Sequence, residues 1–409
     1  MVSTAPISAF ARITQLAADR RVHLAFQWLH LQEQQILRWQ TELVSVPAPP
    51  FGERTRAEWL CERFRDSGLS GVHLDGVGNA IGMLKAAGQS EHCLLLSAHI
   101  DTVFPAETPI EPRLDGTRLY APGACDNGAG VVCLLALAAA FQHAGIAPEC
   151  DIYFAGNVGE EGEGDLRGMR YLYEHAAWRD RIRAHLVLDG AGHEVAITDA
   201  LGSQRYLVTL RGPGGHSWTD AGRPNPIVAL SQAIARIAEL DVAGVPRTTF
   251  NVGTIEGGTA INAIPEQASA RFDFRSTDPE QLIRLEVELH RAVEDAVIAA
   301  NRTFANGGKR KQGLEFSIEK IGSRPAAQLA RESALYEALR AVDRHLSIRT
   351  EPRVASTDAN IPMALGVEAV SLGAGGEGGG IHTRGEWYDA RGRELGLRRV
   401  LLLLLAMAS

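Results

Sequence analysis

Short apolar runs at Ala80–Leu84, Leu94–His99, Ile152–Asn157, Leu186–Asp189 and Ala369–Leu372 alternate with stretches whose apolar positions recur at helical spacing, notably Gly128–His143 and Leu166–His175. Runs this brief and this uniformly apolar read as strands covered on both faces. Their alternation with helices predicts an α/β domain with a mixed, mostly parallel sheet flanked by helices. Upstream, Val22 to Arg65 carries helical spacing interrupted by Pro47-Ala48-Pro49-Pro50, where missing amide protons and fixed φ stop a helix. The leucine run Leu401–Leu405 is far too short to span a bilayer and reads as the last buried helix.

The pattern changes in the middle of the chain. Tyr206–Leu210 is strand-like, Ile227–Leu240 is an amphipathic helix after Pro224 and Pro226, and Thr248–Val252 and Ala268–Phe274 are two further strands. In the last of these Ala270, Phe272 and Phe274 alternate with Arg271, Asp273 and Arg275, the period of a half-buried strand. A long helix from Pro279 to about Asn301 and a strand at Leu314–Ile321 complete the order β-α-β-β-α-β, that of a ferredoxin-like domain. The expectation is therefore two domains: one built from 1–202 and 322–409, the other an inserted ferredoxin-like α+β domain over 203–321. A length of 409 residues, beyond what one core usually supports, agrees with two.

Composition narrows the function classes. Apolar content of 45% with 22% charged residues is ordinary for a globular chain. A net charge of −8 argues against a nucleic-acid partner. The nearest basic tract, Lys309-Arg310-Lys311, follows Gly307-Gly308 and reads as a solvated turn. The five cysteines are odd in number and form no CxxC pair, which points to free thiols in a reducing compartment. Cys125 reads as a buried small hydrophobe before a reactive thiol. Arg12, Asp19, Arg20 and Arg21 leave no room for a signal-peptide core, so a cytoplasmic location without a membrane partner is expected.

The candidate chemistry lies where parallel sheets concentrate it, at the carboxyl ends of strands. His99, the pair Glu160-Glu161, and Asp189 stand at or just beyond such ends, and Asp126 sits in the tight loop Gly123–Gly128 that opens a helix. Acidic groups converging on one cleft repel each other unless cations neutralise them. Oxygen ligands mixed with imidazole suit Zn²⁺, with Co²⁺ or Mn²⁺ as substitutes. His382, after the Gly-rich loop Gly373–Gly380, supplies a second imidazole. His99 and Asp101 are two apart, so in an extended chain both face one side, as a ligating ring and its orienting carboxylate would.

Taken in order, the motifs resemble a known family. They are Ser97-Ala98-His99-Ile100-Asp101-Thr102, Cys125-Asp126-Asn127-Gly128-Ala129-Gly130, Gly159-Glu160-Glu161-Gly162 and Val187-Leu188-Asp189-Gly190. Gly214-Gly215-His216-Ser217, Gly257-Gly258-Thr259-Ala260-Ile261-Asn262, Phe272-Asp273-Phe274-Arg275, Ser356-Thr357-Asp358-Ala359-Asn360 and Gly380-Ile381-His382 follow. Nearly the whole chain is similar to the di-zinc exopeptidases and amidohydrolases that include peptidase T, carboxypeptidase G and the aminoacylases. The stretch Gly162-Glu163-Gly164-Asp165-Leu166-Arg167-Gly168 looks most like the peptidase T branch.

The resemblance implies two Zn²⁺ per subunit, bridged by Asp126. His99 and Asp189 would complete one ion, and Glu161 and His382 the other. Glu160 would be the general base, taking a proton from the bridging water and passing it to the departing amine. Asp101 would orient His99. In the inserted lid or dimerisation domain, His216 would donate to the oxyanion. In dimeric relatives that histidine comes from the neighbouring subunit, so a homodimer is expected. Arg275 would clamp a substrate carboxylate, Asn262 would meet the substrate backbone, and Asp358 would take part at the site.

Plainer readings stand beside these. His216 and Asn262 could be turn residues, Arg275 the solvated face of its strand, and Asp358 the cap of a short helix. The resemblance further implies a cis Asp126–Asn127 bond. The chain departs from many relatives in carrying Asn127 after the bridging Asp and Ala121-Pro122-Gly123 before it, which leaves substrate class open. The expected function is a metallopeptidase of the tripeptidase or aminopeptidase kind acting on a small peptide. An N-acyl-amino-acid deacylase or desuccinylase on the same scaffold is the nearest alternative, and a non-catalytic binding homologue the remote one.

Overall fold

The apolar runs form the middle of one sheet. In the structure, a computed structural model that describes residues 8–242, 244–305 and 313–409, eight of the sheet's nine strands are, in chain order, β1 (Ser70–Leu74), β2 (Ala80–Leu84), β3 (Cys93–His99), β4 (Asp151–Asn157), β5 (Ile182–Leu188), β6 (Val195–Ala200), β7 (Glu351–Ala355) and β8 (Glu368–Leu372). They lie in the order β1-β2-β4-β3-β5-β8-β6, with β7 beside β6. The Lys309–Lys311 turn read from the sequence falls outside the described residues.

β3 is parallel to β4 and β5, and β5 is parallel to β8, so their carboxyl ends share one edge. β1, β2 and the β6–β8 pair run antiparallel, which makes the sheet mixed but mostly parallel at its centre. All seven residues of β3 are buried. Helices Gly128–Ala144 and Arg393–Ala408, in contact with each other, pack on β3, while its Cys93 and Leu95 cluster with Leu166, Met169 and Leu172 at helix Arg167–His175; coverage from both sides makes its apolar run continuous and not alternating. Helix Arg393–Ala408 contains the leucine run, and Leu401–Leu404 are fully buried. From β3 the chain passes to β4 on one side and then to β5 on the other. The carboxyl end of β3 is therefore a switch point, where an open α/β sheet leaves a crevice.

By chain contacts the molecule divides into Met1–Ala200 with Gln328–Ser409, and Leu201–Ala327. The second unit has an antiparallel sheet in the order Thr248–Gly257, Gln267–Ser276, Gly202–Arg211, Glu315–Arg324, with helices Pro226–Ala238 and Pro279–Ala305 packed on it. That strand order and connectivity are ferredoxin-like. Tyr206, Val208 and Leu210 from one strand and Ala270, Phe272 and Phe274 from its neighbour bury one face against Leu230, Leu285 and Leu289 of the helices.

Some strands leave no trace in the apolar pattern. β1 and β7 are edge strands with mostly exposed residues, so no run marks them. The Gly-rich segment read as a loop contains the short strand Glu377–Gly379, which joins Trp387–Asp389, Arg118–Tyr120 and Arg113–Asp115 in a small antiparallel sheet. Among the described residues no helix is long and apolar enough to cross a membrane. All five cysteines are buried and free, and burial pushes the Cys125 thiol up to about 12.

Candidate metal centre

Four loops leave the shared edge of the sheet and converge. β3 ends in His99, β4 continues into Glu160-Glu161, β5 into Asp189, and the chain after β8 reaches His382. Asp126 enters from the loop before helix Gly128–Ala144, across a cis Asp126–Asn127 bond. His99 Nε2 lies 3.1 Å from Asp126 Oδ1 and 3.8 Å from Asp189 Oδ1. His382 Nε2 lies 3.0 Å from Asp126 Oδ2 and 3.0 Å from Glu161 Oε1. One oxygen of Asp126 thus faces each imidazole.

Among the described residues, the groups able to hold an ion include His99-Asp126-Asp189 and Asp126-Glu161-His382, each with ligand atoms within 4.8 Å of one another. Glu160 forms a third such group with His99 and Glu161. The donor set fits a pair of divalent cations. Asp126 Oδ1 is buried without a hydrogen-bond partner, and carboxylates crowd around two imidazoles in the mixture that zinc and its substitutes prefer. Burial opposes charge on His99, but its contacts with Asp101, Asp126 and Asp189 outweigh that and hold its pKa well above the usual range. Hydrogen bonding to Asp126 pushes His382 up to about 9. Burial would raise Asp126, yet the hydrogen bond to His382 and the charge of nearby His99 keep it low. The imidazoles therefore take protons where the ions' positive charge would stand.

Further side chains tie these loops together. Asp101, fully buried, accepts the Glu160 N–H on Oδ1 (3.0 Å) and the Glu161 N–H on Oδ2 (2.8 Å), and its Oδ1 lies 3.6 Å from His99 Nδ1. Buried Arg56 donates to Ile100 O and lies close enough to Asp101 for their charges to interact. Asn127 Oδ1 accepts from Gly130 N and Gly190 N while its Nδ2 donates to Leu188 O, bracketing Asp189. Glu386 accepts N–H groups from Gly123, Cys125 and Asp126, and burial pushes it up to about 7 against their pull. Arg56 and Glu386 escaped the sequence reading. Neither sits in an apolar period nor next to a ligand, and each acts through backbone groups distant in the chain.

Asp358 is fully buried, accepts from Asn157 Nδ2 at 2.7 Å, and feels the charges of His99, Asp101 and Asp189; burial pushes it up to about 7. It does not cap helix Asn360–Ala364, whose N-cap is Ala359.

The remaining candidates belong to the second unit. His216 is exposed, and its Nδ1 accepts from Trp218 N at 3.1 Å, which leaves Nε2 to carry the proton of the neutral ring. The backbone of Asn262 accepts from Ser217 N, and Ala263-Ile264 pairs with Gly215-His216, so the structure brings His216 and Asn262 together. Arg275 is separate from them: it lies half-buried on its strand with Nε on Asp273 at 2.7 Å.

Comparison with known proteins adds the following. The sequence profile described as Peptidase family M20/M25/M40 matches residues 95–406. A succinyl-diaminopimelate desuccinylase from Methylobacterium sp. is 30% identical over 230 residues, 51% of this chain and 57% of that relative, so the chain spans little more than half of its length. A tripeptidase structure from Staphylococcus aureus superposes with a TM-score of 0.74 at 23% identity, covering 92% of this chain and 98% of that one. A dinuclear metal-binding M20 peptidase from Bacillus subtilis does so with a TM-score of 0.66 at 15% identity, over 92% and 98%. At such identities the two structures show a shared fold.

Proposed function

The chain belongs to peptidase family M20/M25/M40, a family of hydrolases acting on peptide or amide bonds, and on that premise we propose that it is a two-metal aminopeptidase of the tripeptidase kind. One observation carries the two-metal part of this reading, Asp126 turning its two oxygens toward two separate ligand groups, and the peptidase T-like stretch Gly162–Gly168 favours the tripeptidase part. His99, Asp126 and Asp189 would hold one ion, and Asp126, Glu161 and His382 the other. When bound, such a pair supplies Lewis acidity to the amide carbonyl and makes the attacking water more acidic.

The chain's own residues do the rest. Glu160, 6% exposed, has its backbone fixed by Asp101 and stays outside both ligand groups. It takes a proton from the attacking water and gives it to the departing amine, so proton count is conserved across the step. Asp101 holds His99 and the Glu160-Glu161 backbone as one piece. His216, whose Nε2 carries the proton of the neutral ring, is assigned to the oxyanion, Asn262 to the substrate backbone and Arg275 to a substrate carboxylate. We take the ions to be zinc and the protein to act as a homodimer on small peptides.

A second reading, deacylase or desuccinylase, is favoured by the 30% identity to a desuccinylase. Tripeptides and N-succinyl amino acids assayed side by side with zinc or cobalt separate the two, and turnover of acyl amino acids alone overturns our preference. Glu160→Gln should lower kcat by about 10²–10⁴-fold while metal content is unchanged. Full activity in that variant would sink the mechanism.

A further inference from the structure

Glu386 is fully buried and its carboxylate is spent on the backbone of one loop. Oε1 accepts from Cys125 N and Asp126 N, both at 2.8 Å, and Oε2 accepts from Gly123 N at 2.9 Å. Its own carbonyl accepts from Ala121 N at 3.1 Å, so this one residue binds the loop at four points. Glu386 also lies four residues after His382, and its N–H closes the intervening turn onto Thr383 O.

Asp126 and His382 come from loops far apart in the chain, yet their ligand atoms meet at 3.0 Å. Glu386 touches both loops. A carboxylate suits the task because both oxygens accept, and N–H bonds to an anion are stronger than neutral ones. A glutamine keeps the volume but turns an amide donor toward one N–H, and an alanine leaves three buried donors without this acceptor.

We propose that Glu386 is a positioning residue that aims Asp126 at both ligand groups and thereby sets the affinity for the metal pair. The inference rests on the two-metal reading above. It goes beyond packing because its target is the residue shared by both groups. Groups that orient metal ligands typically change affinity by about 10–100-fold when removed. Both ions should weaken together, since both depend on Asp126.

The test is a cobalt titration of the metal-free full chain, followed by calorimetry and visible absorption, for wild type, Glu386→Gln and Glu386→Ala. Circular dichroism and thermal unfolding of the metal-free proteins are measured in parallel. The expected result is retained secondary structure with affinity for both ions reduced, by about tenfold for the glutamine variant and up to about 100-fold for alanine. At saturating metal, kcat should fall with KM little changed. A merely structural role would lower metal-free thermal stability and leave the isotherm of the folded protein alone.

A wild-type isotherm in both variants, or weakening of one ion only, overturns the proposal. So does failure of both variants to fold, because the residue would then serve the fold itself. Wild type that takes up no cobalt overturns this inference and the proposed function together. Wild type that binds two ions but hydrolyses no peptide overturns the function alone.

Discussion

At the scale of single residues, His99, Glu160-Glu161 and Asp189 were legible because each is chemically conspicuous at or just beyond the end of an apolar run, and Asp126 and His382 because each stands in or after a glycine-rich loop. His99 ends one buried strand and Asp189 follows another, and no packing argument calls for an ionisable group there. Asp101 apart, the buried polar residues around them were not legible. His185, in the strand next to β3, is one: it lies mid-strand in β5, fully buried, with Nε2 2.8 Å from Ser97 Oγ and Nδ1 3.1 Å from Tyr173 Oη. Burial pushes its pKa down to about 3, so it is neutral in the native protein. The unfolded chain, with an ordinary value of about 6.5, binds a proton that the native state refuses. Above that value His185 does not affect the pH dependence. Between about pH 6.5 and 3 it removes stability at a limiting rate of roughly 1.4 kcal/mol per pH unit. His185→Gln should therefore flatten the fall in unfolding free energy between pH 6.5 and 4.5 by close to one proton, as read by urea titrations. Parallel pH profiles for the two proteins would refute the assignment.

At the scale of elements, strand and helix identity followed from burial. Two-sided coverage writes a continuous apolar run, as in β3, and one-sided coverage writes alternation, as in Ala270, Phe272 and Phe274. Edge strands β1 and β7 write neither, which is why they were missed. Close approach between elements is also invisible in the pattern. Gly130 lies in the first turn of helix Gly128–Ala144, and a Cβ there would stand 2.3 Å from Asn127 Oδ1 and 2.7 Å from Leu188 O. The helix start can press against the end of β5 only without a side chain at this point. Gly130→Ala should cost about 1–3 kcal/mol, the usual price of overpacking, although alanine is the better helix former. Its effect should extend to metal affinity because Asn127 flanks Asp126. Unfolding of the metal-free variant measures the first effect and a cobalt titration the second; an unchanged midpoint would refute the packing argument.

At the scale of the whole molecule, the metal pair should act as a fastener between chain segments. The proposed ligands come from the segments around 99, 126, 161, 189 and 382, so ions that bind the native state alone would stabilise it by mass action. Metal held at about 100 times its Kd should raise the unfolding free energy by roughly 2.7 kcal/mol, and a strong chelator should lower Tm accordingly. A Tm indifferent to chelator and to added zinc would refute two-metal binding in the ligand groups described. The sequence by itself determined the fold class, the ferredoxin-like order of the insertion and the residue types at the strand ends. Periodicity of burial and the chemistry of side chains are local properties, and a chain records them directly. The motif resemblance already implied Asp126 between two ligand groups and Asp101 behind His99; only the tertiary structure decided that Asp101 also accepts the Glu160 and Glu161 N–H groups, that Asn127 and Glu386 tie loops together, and that Arg275 lies apart from His216. Those facts depend on distances between residues remote in the chain, which no local pattern encodes. His382 meets Asp126 at 3.0 Å because sheet order and the backbone bonds of Glu386 bring two distant loops to one point.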